Sequence, residues 1–269
     1  MLAGGDGSRL MPLTRQFAGY DLPKQFCPIF GEETLLGLSL ERVSLTIPPD
    51  NTLTVLNRAH ENLYRPMLRG ISERNLVVQP ANRGTAPAIL YGLLRSAKLA
   101  NVDSIAIFPS DHYVSDDALF MRHVDAAFEV VKRRSDLMVL LGITPDGPEV
   151  EYGWIEPDKP MALGPYTLNP FSRVRRFWEK PQLAAAQRLL RKGCLWNSFV
   201  MVAPLTALYN LLKKALPGLC GFFQNVRQAI GTPLEDTAAQ ELYMRLPDIS
   251  FSHRVLASHP RELAVLPVA

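Results

Sequence analysis

With 269 residues, 47% hydrophobic content, 20% charged side chains and a formal net charge of +3, the chain is long enough for one large domain or two small ones and has a globular composition. The mild positive charge suits anionic small molecules but falls short of the basic stripe that nucleic-acid binding needs, and the longest apolar run, Leu137–Ile143, is far too short to span a bilayer. No basic segment followed by an apolar run opens the sequence, so the cytoplasm is the expected compartment. Cys27, Cys194 and Cys220 show no metal-ligand spacing and predict buried thiols rather than zinc or a disulfide framework.

The segment Leu2–Arg15 comes first and carries the strongest signal: Gly4, Gly5 and Gly7 are followed by Ser8 and Arg9. Glycines let backbone N–H groups approach phosphate oxygens with no Cβ in the way, and an arginine fork grips phosphate bidentately. Leu10 stands where the dinucleotide fingerprint needs its third glycine, and no Gly-Lys-Ser/Thr ending is present, so neither familiar nucleotide motif fits. That absence argues against a dinucleotide-dependent oxidoreductase. By itself the stretch reads first as a surface turn that uses glycine for positive φ. Pro23 then holds the chain extended and aims Lys24 as a point charge.

Farther along, Leu53–Leu56, Leu76–Val78, Ser104–Phe108 and Leu137–Ile143 are near-continuous apolar runs, as expected of strands covered on both faces. Helical periodicity over 85–100 and 116–134 falls between them, which predicts βαβ units, a doubly wound α/β core and a mainly parallel sheet. Thr85 is a candidate N-cap for the first of these helices. Asp111 follows a strand, where it serves either as a metal ligand at the carboxyl edge of the sheet or as a helix N-cap. His112, with no second histidine at ligand spacing, reads as a loop hydrogen-bonder, and Lys132-Arg133-Arg134 as the solvated end of a helix. After residue 145 prolines and glycines punctuate the chain, and strands over 173–178 and 197–202 flank a helix near 182–192. Trp196 reads as core.

Taken together, the glycine loop, Pro23-Lys24-Gln25-Phe26, Gln79–Ala88, Phe108-Pro109-Ser110-Asp111-His112, Tyr152-Gly153-Trp154-Ile155, Phe177–Pro181 and Trp196-Asn197-Ser198 resemble, in order, the signatures of the sugar-phosphate nucleotidylyltransferases, most closely the mannose-1-phosphate guanylyltransferases. The resemblance implies a Rossmann-like mixed sheet in a single nucleotidyltransferase domain, 1–145 binding nucleotide and 146–269 binding sugar phosphate. It implies transfer of a nucleotidyl group from GTP to mannose-1-phosphate with Mg²⁺, giving GDP-mannose and pyrophosphate. Arg9, Lys24 and Asp111 take the catalytic places, with Asp111 on the metal. Leu2, Ala3, Gly4, Gly5, Gly7, Ser8, Arg9, Asn82, Gly84, Thr85 and Ala86 line the nucleotide, and Tyr152, Gly153, Glu179, Lys180 and Asn197 the sugar phosphate. The expected partners are these small molecules, with a homodimer admissible and neither nucleic acid nor membrane. Another base or sugar, or a non-catalytic sugar-nucleotide-binding fragment, stays open. Phe199 departs from the family pattern, where a small residue often follows Trp-Asn-Ser. Both ends look clipped, because little precedes the glycines and the chain stops before the family's second metal-binding aspartate.

Overall fold

The computed structural model describes residues 1–7, 10–29, 31–100, 102–161 and 171–268. In chain order the elements are α1 (Met11–Ala18), α2 (Leu35–Ser44), β1 (Thr54–Asn57), α3 (Glu61–Met67), β2 (Leu76–Gln79), α4 (Thr85–Leu99), β3 (Ser104–Ile107), α5 (Asp117–Arg133), β4 (Met138–Ile143), β5 (Gly153–Pro160), β6 (Ser172–Glu179), α6 (Leu183–Arg191), β7 (Leu195–Pro204), α7 (Leu205–Ala215), α8 (Pro217–Phe222), α9 (Gln224–Ala229), α10 (Glu235–Tyr243) and β8 (Leu263–Val268). They form two compact units, one of residues 1–101, 108–121 and 221–249, the other of 102–107, 122–220 and 250–269.

In the first unit β1 and β2 pair in parallel, and Leu2 bridges Val55 and Pro109, again in parallel. The Leu2 N–H donates to the Phe108 carbonyl and the Ala3 N–H to the Val55 carbonyl, both at 2.8 Å. Buried Val55, Leu56 and Val77 from the strands meet Ile89, Leu90, Leu93 and Leu94 from α4, an i, i+1, i+4, i+5 stripe that makes one face of the helix apolar. Where Thr85 is expected to cap α4, it is instead the first helical residue. Gly84 precedes it at φ 79°, and the Asn82 side chain accepts from the Gly84 N–H at 3.0 Å. The cap moved because Gly84 alone adopts the backbone shape that turns the chain into the helix.

The second unit holds a six-stranded sheet in the order β3-β7-β4-β8-β6-β5. Among the described residues only β4 and β8 pair in parallel there; β7 runs antiparallel to both β3 and β4, and β6 runs antiparallel to β5 and β8. The expectation of a mainly parallel sheet is therefore corrected to a mixed one. An apolar run predicts burial on both faces but carries no information about strand direction, which is set by where the returning segment 195–204 inserts. The core of this sheet is β4 and β8, whose residues from Met138 to Leu141 and Leu263 to Leu266 are almost fully buried. Cys27, Cys194 and Cys220 are buried free thiols, and burial pushes Cys194 up to about 11. Among the described residues no helix is long and apolar enough to cross a membrane.

Candidate active site

In parallel α/β sheets, ligands gather outside the carboxyl ends of the strands. In the first unit those ends are the glycine loop after Ala3, Asn57 at the end of β1, the turn 80–84 after β2, and Ser110-Asp111 after Pro109. Sequence-predicted Gly4, Gly5, Gly7, Asn82, Gly84 and Asp111 thus share one edge. Ser8 and Arg9 lie outside the described residues.

Short polar contacts fix the loop's shape. Gly7 stands at φ 63°, and a Cβ there would lie 2.9 Å from the Lys24 nitrogen, so the glycine lets the loop rest on Pro23-Lys24. A Cβ on Gly5 meets nothing within 4 Å. Leu2 and Ala3 use their backbone groups within the fold: the Leu2 carbonyl accepts from Ser110 Oγ at 2.8 Å and the Ala3 carbonyl from Gln25 Nε2 at 3.1 Å. Gln25, which sequence reasoning passed over in favour of its neighbour Lys24, also donates to the Gly5 carbonyl at 2.7 Å and is 4% exposed. Its one amide sets the path of the loop. Gln25→Leu is expected to leave the buried Ala3 carbonyl and the partly buried Gly5 carbonyl without this donor, lowering stability by about 1–3 kcal/mol, read by urea titration.

Asp6 is a second residue without a sequence signal. Its carboxylate accepts from Asn57 Nδ2 at 3.3 Å and Asn82 Nδ2 at 2.9 Å, tying the glycine loop to the ends of β1 and β2. Asp6 also lies 3.7 Å from Nε2 of His60, a buried ring stacked edge-on to Phe26. Burial holds His60 below its usual 6.5, with Asp6 opposing. A histidine held neutral in the fold protonates first in the unfolded chain, so its contribution is intact above 6.5 and lost as pH falls from there through the lowered folded value. The urea midpoint of the wild type should fall relative to His60→Gln between about pH 7.5 and 5.5, straddling the ordinary histidine range. A pH-independent difference between the two would contradict a buried neutral ring.

Lys24 and Asp111 come together: Nζ lies 3.6 Å from the carboxylate, and both side chains are partly exposed. His112 Nε2 stands 3.7 Å from the other carboxylate oxygen. The helix-cap alternative for Asp111 is excluded, since α5 begins at Asp117 and the Asp116 carboxylate accepts from the Leu119 N–H at 2.8 Å. The turn before α4 is closed from outside: the Ile249 N–H donates to the Arg83 carbonyl, and the Ile249 carbonyl accepts from the Ala86 N–H, both at 3.0 Å.

In the second unit the five sugar-side residues also gather at one edge. Gly153 opens β5 opposite Glu179 at the end of β6, and Asn197 near the start of β7 pairs with Gly142 near the end of β4. A Cβ on Gly153 would lie 2.8 Å from the Phe177 ring and 3.2 Å from Glu179 Oε2, which fixes the spacing of the two strands. Lys180 takes φ 45° and pairs with Glu151 at 3.4 Å. Tyr152, half exposed, stacks edge-on to Trp196 at 5.1 Å, and Trp196 meets the buried Trp154 at 6.0 Å, so the tryptophan belongs to the core side of the cluster. Register shifts between Leu140 and Gly142, where residues 198–200 bulge from β7 with Phe199 at φ 61°. Asn197 Oδ1 accepts from the Phe199 N–H at 3.2 Å, and the Phe199 ring sits 6.5 Å from that of Phe251. The bulge is the reason a small residue suits this place: the left-handed backbone favours glycine, and an aromatic residue holds it under strain.

The model of the family described as Nucleotidyl transferase matches residues 1–221. The chain belongs to that family. This nucleotidyl transferase is 29% identical over 263 residues to a mannose-1-phosphate guanylyltransferase of Escherichia coli K12, and 27% identical over 262 residues to one of Klebsiella pneumoniae; each alignment covers 95% of the chain and 53% of the relative. It spans about half the length of these curated relatives. Among solved structures, one from Thermus thermophilus, described as a mannose-1-phosphate geranyltransferase, superposes with a TM-score of 0.81 at 33% identity, covering 99% of this chain and 72% of that one. The mixed α/β architecture is that of the nucleotidyltransferases.

Proposed function

We propose that this nucleotidyl transferase moves the nucleotidyl group of GTP onto mannose-1-phosphate, releasing pyrophosphate and forming GDP-mannose. The observation that carries the reading is the pairing of Lys24 with Asp111 at 3.6 Å beside the glycine loop, at the carboxyl ends of parallel strands. The guanylyltransferase names of the aligned relatives support the choice of base and sugar.

Attack of a sugar-phosphate oxygen on the α-phosphorus brings two polyanions together, so the protein must neutralise charge and align the groups in line. In this reading Gly5 and Gly7 approach the triphosphate, Arg9 and Lys24 balance its charge, and Asn82, Gly84, Thr85 and Ala86 flank the base and ribose, with Leu2 and Ala3 beneath the loop. Tyr152, Gly153, Glu179, Lys180 and Asn197 receive the sugar phosphate, which keeps the proposed division of labour between 1–145 and 146–269. Among the described residues no group of three or more His, Cys, Asp or Glu side chains could cage a metal. A lone hard carboxylate fits Mg²⁺, which keeps waters and takes its remaining oxygens from phosphates, and Asp111 is the residue to hold it. When bound, the cation withdraws charge from the phosphates. Use of a nucleoside triphosphate fits a cytoplasmic enzyme.

Calorimetry with GTP, GDP-mannose and NAD, together with a pyrophosphate-release assay, tests the proposal. Binding of the first two but not NAD, with GTP- and mannose-1-phosphate-dependent release, is expected. Turnover with another nucleotide or sugar would reassign the specificity, and binding without release would reduce the chain to a sugar-nucleotide-binding protein.

A further inference from the structure

We propose that Arg42 is a positioning residue for Asp111, its guanidinium holding the segment that follows the carboxylate at two points. This rests on the reading of Asp111 as the metal-binding residue. α2 buries Leu35, Leu36, Ser39 and Val43, and among them Arg42 is only 5% exposed. A guanidinium so placed is tolerated only when its N–H groups are taken up by acceptors of matching geometry. Nε donates to Asp117 Oδ1 at 2.5 Å, and Nη2 donates to the His112 carbonyl at 3.2 Å.

The two acceptors pin the segment directly after Asp111. His112 follows Asp111 directly, and Asp117 is the first residue of α5. On the other side, Ser110 Oγ is anchored to the Leu2 carbonyl at 2.8 Å. The residues before and after Asp111 are therefore both fixed to neighbouring segments. The ionisable neighbours of the Asp111 side chain, Lys24 at 3.6 Å and His112 at 3.7 Å, stand beyond hydrogen-bonding length. Backbone placement, more than those neighbours, sets where the carboxylate points, and the Arg42 bond to the His112 carbonyl contributes to it. A lysine keeps the charge but loses the fork, so it cannot hold an aspartate and a carbonyl in the same geometry.

The experiment measures Mn²⁺ bound with GTP by water-proton relaxation enhancement, which separates metal held on the protein from Mn²⁺–GTP in solution, and compares wild type, Arg42→Lys, Asp117→Asn and Asp111→Asn. GTP affinity in EDTA and thermal melting are recorded alongside. Arg42→Lys is expected to weaken protein-bound Mn²⁺ by about 10-fold, as loss of a group that orients a ligand does, with GTP affinity in EDTA unchanged. Asp117→Asn should give the same pattern in weaker form and carries the test alone if Arg42→Lys does not fold. Unchanged Mn²⁺ binding in a folded variant, or an equal loss of metal-free GTP affinity, would overturn the positioning role. Should Asp111→Asn also leave Mn²⁺ binding untouched, the assignment of Asp111 fails instead.

Discussion

Asp111→Asn is expected to lower Mg²⁺-dependent pyrophosphate release by more than about 2.7 kcal/mol in transition-state stabilisation, roughly 100-fold, while leaving the melting temperature in place. The substitution keeps the side chain's volume and removes the hard anionic oxygen that a divalent cation requires. Stability should hold because the carboxylate is partly exposed and its partner Lys24 lies at 3.6 Å; exposed ion pairs contribute little, about 0–1 kcal/mol. Raising Mg²⁺ tenfold should not restore the rate. A variant with wild-type kcat at saturating Mg²⁺ would remove Asp111 from the reaction.

Gly84→Ala is expected to cost about 3 kcal/mol or more of folding stability, read as a lowered urea midpoint at unchanged slope. The residue sits at φ 79° and ψ −178°, a region that essentially only glycine occupies. A Cβ would also lie 2.6 Å from the Ile249 carbonyl oxygen, with the Asp248 carboxylate in contact as well. That carbonyl is already committed to the Ala86 N–H, so it cannot withdraw without opening the first turn of α4. Gly5→Ala is the control. With nothing within 4 Å of its Cβ, it should stay within about 0.5 kcal/mol of wild type while weakening GTP binding. Equal loss of stability in both variants would mean that the loop glycines are not divided between packing and ligand approach.

Much was legible in the sequence because periodicity and turn chemistry are local. The apolar runs predicted at 53–56, 76–78, 104–108 and 137–143 are β1, β2, β3 with its continuation, and β4; the periodic stretches 85–100 and 116–134 are α4 and α5; and Trp196-Asn197-Ser198 opens β7. Motif order was enough to identify the family, since glycines before a basic residue and a Ser-Asp-His turn after a strand keep their spacing whatever packs around them.

Gln25, Asp6 and Arg42 could not be read in that way. Each acts on a partner distant in the chain: Gln25 on the carbonyls of Ala3 and Gly5, Asp6 on Asn57 and Asn82, Arg42 on His112 and Asp117. A glutamine beside a motif lysine or an arginine late in an amphipathic helix has no local signature that separates it from a solvated one. The sequence by itself determined the strands β1–β4, β6 and β7 and the helices α4–α6, because those follow from side-chain period. Only the tertiary structure decided strand direction in the six-stranded sheet, the left-handed bulge under Phe199 and the ties around Asp111. Hydrogen-bond partners far apart in sequence are chosen when elements pack, and nothing in the chain's local pattern encodes the choice.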